Sequence, residues 1–121
     1  MHNAAVILVF HGSRHPLAGP EAAAFTARIQ ALDPHQLIGH GFLRECSPSL
    51  EQAIESAVVS GAQTVRVLPV FAVTGSHTTK DIPDIINQMI FKHPGVTFLL
   101  DPVLVQTPQF ERYVLSRLTE A

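Results

Sequence analysis

The chain has 121 residues, 46% of them hydrophobic and 15% charged, with a formal net charge of −2. One domain's worth of chain can bury a core without disulfides, and the mild acidity, with no Lys/Arg cluster, excludes a nucleic-acid stripe or a polybasic membrane surface. The single cysteine, Cys46, excludes an internal disulfide and any CxxC centre, so the expectation is a cytoplasmic protein in a reducing compartment.

Ala4 to Phe10 is a continuous apolar run, which predicts a strand buried on both faces and running into His11-Gly12-Ser13-Arg14. The run is too short for a signal peptide and has no basic segment before it, and no stretch approaches the roughly 18 apolar residues of a membrane span. Pro16 to Pro20 is a turn-rich loop. Phe25, Ile29 and Leu32 then recur at helical spacing until Asp33-Pro34 stops the helix. Gln36 to Leu43 is the second strand. Ser47-Pro48 reads as a helix start, Ser at the cap and Pro at the first position, with Leu50, Ile54, Ala57 and Val58 as the apolar stripe and Gly61 as the stop.

Thr64 to Val73 is the third strand, followed by Gly75-Ser76-His77. Asp81 is the expected N-cap of a helix whose stripe is Ile82, Ile85, Ile86, Met89 and Ile90, ended by Pro94-Gly95. Val96 to Leu100 is the fourth strand, and Phe110, Val114 and Leu118 mark a last helix. This alternation predicts one α/β domain spanning residues 1–121, three-layered, with a four-stranded parallel sheet and helices on both faces.

In open parallel sheets, ligands bind beyond the carboxyl ends of the strands where the strand order reverses. With the order 2-1-3-4, that place lies between the first and third strands, whose ends carry His11 and His77. A histidine after a strand is ordinarily a loop residue bonded to backbone. Two at matching positions of neighbouring strands, both beside Gly and Ser, form a candidate metal site, because neutral imidazole binds mid-series divalent metals. Two imidazoles without a third ligand hold a metal loosely, which suits an ion that is handed on. Arg14 and Lys80 flank the pair, either as solvated charges or as contacts for carboxylates of an acidic ligand. Ser13 caps the first helix region or touches a ligand. His15 lies in the same loop, His40 within the second strand, and His35 and His93 near helix ends, where solvated or dipole-capping roles are expected.

The segments VILVFHGSR, GFLRECSPSLEQAI and RVLPVFAVTGSHTTKDIP resemble the short class II tetrapyrrole chelatases, which include CbiX-type sirohydrochlorin cobaltochelatases and sirohydrochlorin ferrochelatases and nickelochelatases. The resemblance covers nearly the whole chain, and its most specific part is the stretch that ends Gly-x-His-x-x-x-Asp-Ile-Pro. It implies a chelatase-type fold and insertion of Co2+, Fe2+ or Ni2+ into sirohydrochlorin, in cobalamin, siroheme or related biosynthesis, with the metal as substrate and no organic cofactor. It places the metal-binding and catalytic histidines on His11 and His77, and it implies a homodimer. Phe10, Ser13, Arg14 and Lys80 are then the candidate substrate contacts, Phe10 standing where a glycine is common.

The chain departs from the pattern at Phe42-Leu43-Arg44, where many relatives read Phe-Leu-Glu. Glu45 follows, but strand alternation points it to the opposite face unless a bulge intervenes. A carrier of metal or tetrapyrrole on the same fold is therefore the alternative to an enzyme. A histidine phosphatase would need Arg-His-Gly after the first strand, whereas here Arg14-His15 precedes Pro16. One lobe of a hetero-assembly is the third reading.

Overall fold

The structure, a computed structural model, describes residues 3–75 and 80–119. Four strands, β1 (Ala4–Phe10), β2 (Leu37–Phe42), β3 (Thr64–Pro69) and β4 (Thr97–Leu100), form a wholly parallel sheet in the order β2-β1-β3-β4. They alternate with α1 (Ala18–Leu32), α2 (Leu50–Val59) and α3 (Ile82–Lys92). A short 3-10 turn (Leu104–Gln106) leads into α4 (Pro108–Leu118). The expected α/β class and strand order both hold. Among the described residues, no helix is long and apolar enough to cross a membrane.

Register divides the sheet into two unequal faces. Ala5, Ile7 and Val9 of β1 lie beside Val65 and Val67 of β3. They pack on Leu50, Ile54 and Ala57 of α2 and on Ile82, Ile86 and Met89 of α3, and this is the main core. Successive strand side chains point to opposite faces, so Val6, Leu8 and Phe10 point the other way, beside Ile38, His40 and Phe42. Among the described residues, α1 is the helix that packs on that side of β2.

The second helix begins two residues later than Ser47-Pro48 predicts. Ser47-Pro48 is a cis peptide, and the Pro48 carbonyl accepts from Phe42 N at 2.9 Å, which prolongs the β2 ladder instead of opening a helix. Ser49 is the cap. Its hydroxyl accepts from Gln52 N (3.1 Å) while Gln52 Oε1 accepts from Ser49 N (2.9 Å), a reciprocal box that satisfies two terminal N–H groups. Gly41 lets this helix start sit against β2, since a Cβ there would stand 2.8 Å from Leu50 Cα.

Three other expectations shift. Helix α1 turns Ala22 and Thr26 inward, not Phe25 and Leu32, because small side chains let it lie close to the sheet; the Thr26 hydroxyl donates to Ala22 O at 2.8 Å. The third strand stops at Pro69, four residues early. Asp81 occupies the N-cap position of α3, but with helical backbone angles and no side-chain cap bond.

His93 differs from the solvated role expected at a helix end. Only 18% of its side chain is exposed, and Nε2 lies 2.6 Å from Glu55 Oε1, which also pairs with Lys92 Nζ at 2.9 Å. This clasp ties the end of α3 to α2. The His93 hydrogen bond, then that from Lys92, holds the Glu55 carboxyl below its ordinary pKa. The stabilisation is therefore complete above the usual carboxylate range and fades as the pH falls through it into acid. Glu55→Gln is expected to melt below the parent at neutral pH and to converge with it in acid. Parallel curves of melting temperature against pH would contradict the clasp.

Candidate metal and tetrapyrrole site

The carboxyl ends of β1 and β2 are joined by their loops. Leu43 N donates to Phe10 O (3.1 Å) and Arg44 N to His11 O (3.2 Å), so the ladder runs past the last residue of both strands. Cys46 Sγ lies 3.3 Å from Ser13 O, and Arg14 Nε donates to Glu45 Oε2 at 3.3 Å. The seam closes because residue 12 is glycine. Gly12 has φ of +89°, and a Cβ there would fall 1.8 Å from Arg44 O. An L side chain is both strained in that backbone conformation and blocked by the carbonyl.

Phe10, His11 and Ser13 line a cavity of about 320 Å3 at this end of the sheet, together with Gly12, Glu21 and Phe42. His11 is exposed, and its ring meets Phe71 edge-on at 5.0 Å. Phe71 comes from the stretch after β3, the chain that runs on to His77. His77 itself lies outside the described residues. Among those that are described, no three His, Cys, Asp or Glu side chains cluster as a metal-binding group.

Below the cavity Phe10 belongs to an aromatic group, with ring centroids 5.9 Å from Phe42, 6.3 Å from His40 and 6.4 Å from Phe25. Burial in that group lowers the pKa of His40, which favours its neutral form. His40 is thus an aromatic packing residue, as its place in a strand implies. His15 organises the loop: its N–H donates to Ser13 Oγ, and its Nδ1 accepts from Leu17 N, both at 3.1 Å. Ser13 therefore holds a turn with its hydroxyl while it lines the cavity.

The two flanking cations stand apart from the cavity wall. Lys80 pairs with Asp84 at 2.9 Å, one turn along α3, and that carboxylate raises its pKa. Arg14 reaches Glu45 instead. The alternation argument does not apply to Glu45, because β2 ends at Phe42. Glu45 adopts a left-handed backbone (φ 67°) that directs its carboxylate to the Arg14 side of the seam. Arg44 is fixed at the seam by its backbone, its N–H donating to His11 O and its carbonyl accepting from Cys46 N.

Glu21 is the residue that sequence reasoning missed. It sits in the first turn of α1 and lines the His11 cavity. The signal was available: the first turn of the helix after a site-bearing strand faces the same crevice.

The fold agrees with the comparisons. Residues 5–121 match the CbiX family. The chain is 33% identical over 83 residues to a sirohydrochlorin cobaltochelatase of Methanopyrus kandleri, covering 69% of this chain and 58% of that one. It is 35% identical over 97 residues to a sirohydrochlorin ferrochelatase of Priestia megaterium, covering 78% and 36%. The chain thus spans less than two thirds of the length of either relative. Among solved structures, the sirohydrochlorin chelatase SirB from Bacillus subtilis subspecies spizizenii, in complex with cobalt, superposes with a TM-score of 0.84 at 28% identity. The match covers 98% of this chain and 50% of that one.

Proposed function

Because this chain belongs to the CbiX family, we propose that it is a sirohydrochlorin chelatase, one chelatase-like domain over residues 1–121 that inserts Co2+, Fe2+ or Ni2+ into the macrocycle. The observation that carries this reading is the position of His11. It stands on a cavity at the carboxyl end of β1, against the Phe71 ring of the chain that leads to His77. The metal is a substrate, and the reaction needs no organic cofactor.

Insertion exchanges one divalent ion for two pyrrole N–H protons. A neutral imidazole has one acceptor nitrogen, so it holds the metal or takes a proton, but not both at once. His11 and His77 therefore present the ion first and accept protons as it leaves them for the ring. The Glu21 carboxylate on the same wall supplies a further acceptor, in place of the one that Arg44 removes. Phe10 forms the apolar floor beneath the macrocycle. Arg14, with Glu45 engaging only its Nε, directs the rest of its guanidinium toward substrate carboxylates. Lys80 adds positive charge at the start of α3, and the Ser13 hydroxyl borders the ring.

The chain acts as a cytoplasmic homodimer in this reading. A purely binding carrier is the second reading, favoured by Arg44 at the position of the expected carboxylate. The test presents the purified chain with sirohydrochlorin and each of the three metals in turn and follows the absorption spectrum. Insertion faster than in protein-free buffer for at least one metal supports the enzyme. Protein-free rates with all three, despite binding, support the carrier.

A further inference from the structure

Helix α1 starts beside the His11 cavity without a capping side chain of the usual kind. Its N-cap position is Leu17, which has helical backbone angles and makes no side-chain cap bond. Residue 20 is proline, which has no N–H to satisfy. The first N–H groups of a helix have no partner inside it and must find one outside. Here His15 serves two of them. Its ring Nδ1 accepts from Leu17 N and its carbonyl accepts from Ala18 N, both at 3.1 Å. A ring that accepts at Nδ1 is neutral and carries its proton on Nε2.

The same residue also reaches back toward β1. His15 N donates to Ser13 Oγ at 3.1 Å. Pro16, between the two ends of the ring's bond, restricts the backbone there. Forward of that bond, Leu17 O accepts from Glu21 N at 2.9 Å and so carries the anchorage into the first turn of the helix. Ser13, Ala18 and Glu21 all line the cavity with His11, whereas His15 does not. His15 thus stands behind the wall and joins three residues of it. On the other side His11 is held independently, since its carbonyl accepts from Arg44 N across the seam. Removing the His15 ring therefore frees the start of α1 and leaves the backbone of His11 where it is.

We propose that His15 is a positioning residue for metal insertion: its ring caps α1 and thereby holds Glu21 in place at the His11 cavity. This rests on the chelatase reading above, in which Glu21 accepts a proton. The bond, not the bulk of the ring, is what the role requires. Asparagine at position 15 offers Oδ1 as the acceptor for the N–H two residues on, as in an Asx turn, and alanine offers none.

The test compares the wild-type chain with His15→Ala, His15→Asn, Glu21→Gln and the double variant His15→Ala/Glu21→Gln. Residues 15 and 21 are exposed, so all four variants are expected to keep the wild-type far-ultraviolet circular dichroism. Exchange of the Leu17 amide proton, followed by nuclear magnetic resonance, is expected to quicken in His15→Ala and to return to the wild-type rate in His15→Asn. The maximal rate of metal insertion into sirohydrochlorin is expected to fall roughly 10-fold in His15→Ala and to recover to within about twofold in His15→Asn, as for a proton acceptor displaced and then put back. The metal concentration that gives half the maximal rate is expected to stay the same, because the imidazoles that present the ion are untouched. If His15 acts through Glu21, the double variant is no slower than Glu21→Gln alone. An asparagine variant as slow as the alanine one, a fully active Glu21→Gln, or losses that multiply in the double variant would overturn the positioning role and leave the chelatase reading standing. A wild-type chain no faster than protein-free buffer overturns the chelatase reading, and the positioning role with it.

Discussion

His11→Ala is expected to cut the rate of metal insertion by roughly 100-fold or more while leaving the fold intact, the loss typical of removing a group that takes a proton in the transition state. The side chain is exposed, its ring meets Phe71 edge-on, and the hydrogen bond that joins the loops uses the backbone carbonyl of residue 11, which alanine keeps. Melting temperature is therefore expected to move little. Initial rates at varied metal concentration separate the two roles of the imidazole. If His11 presents the ion, the variant needs more metal to reach half its maximal rate; if it also accepts a proton, the maximal rate falls as well. Full activity at all metal concentrations would remove His11 from the site.

Gly12→Ala is expected to damage both stability and activity. The left-handed φ of +89° costs an alanine about 1 to 2 kcal/mol. The 1.8 Å approach of its Cβ to Arg44 O forces the two loops apart, and with them the bonds Arg44 N to His11 O and Arg14 to Glu45. A total near 3 kcal/mol places it among the severe single substitutions and corresponds to a melting temperature lower by roughly 10 °C. Below that temperature insertion is also expected to slow, because His11 loses its fixed place beside the cavity. Gly61→Ala is the control. Its φ is also positive, at +103°, but nothing lies within 4 Å of a Cβ there, so it reports strain without collision and far from the seam. Equal losses in the two variants would show that the seam itself contributes nothing.

The parts of the fold legible in the sequence are those where one physical cause acts alone. β1 was readable to its last residue because it is flanked on both sides and its whole run is apolar. The strand order was assumed from typical doubly wound sheets and holds, and it brings the end of β1 beside the stretch after β3, where His11 meets Phe71. The start of α2 was misplaced because Ser-Pro and Ser-Leu both open helices well, and the choice was made by a long-range bond from Phe42 to Pro48. The inward side of α1 was misread because closeness to the sheet favours Ala22 and Thr26 over the larger Phe25. Alternation could not place Glu45, because β2 ends at Phe42 and a left-handed backbone at residue 45 intervenes. The Glu55–His93 clasp joins residues 38 apart in sequence, beyond the reach of local pattern. The stripe on α4 was visible, but not that none of its residues would be buried, since periodicity tells which side is apolar and not what covers it.

The central claim is that the chain catalyses insertion and does not merely bind. The direct measurement is the amount of metallated product formed when sirohydrochlorin and Co2+ are supplied in about tenfold excess over protein, read from the absorption spectrum against a protein-free control. Product that rises linearly well past one equivalent per chain, and faster than the control, is the predicted result. A spectral change that stops at one equivalent or less, with only the protein-free rate thereafter, would contradict it.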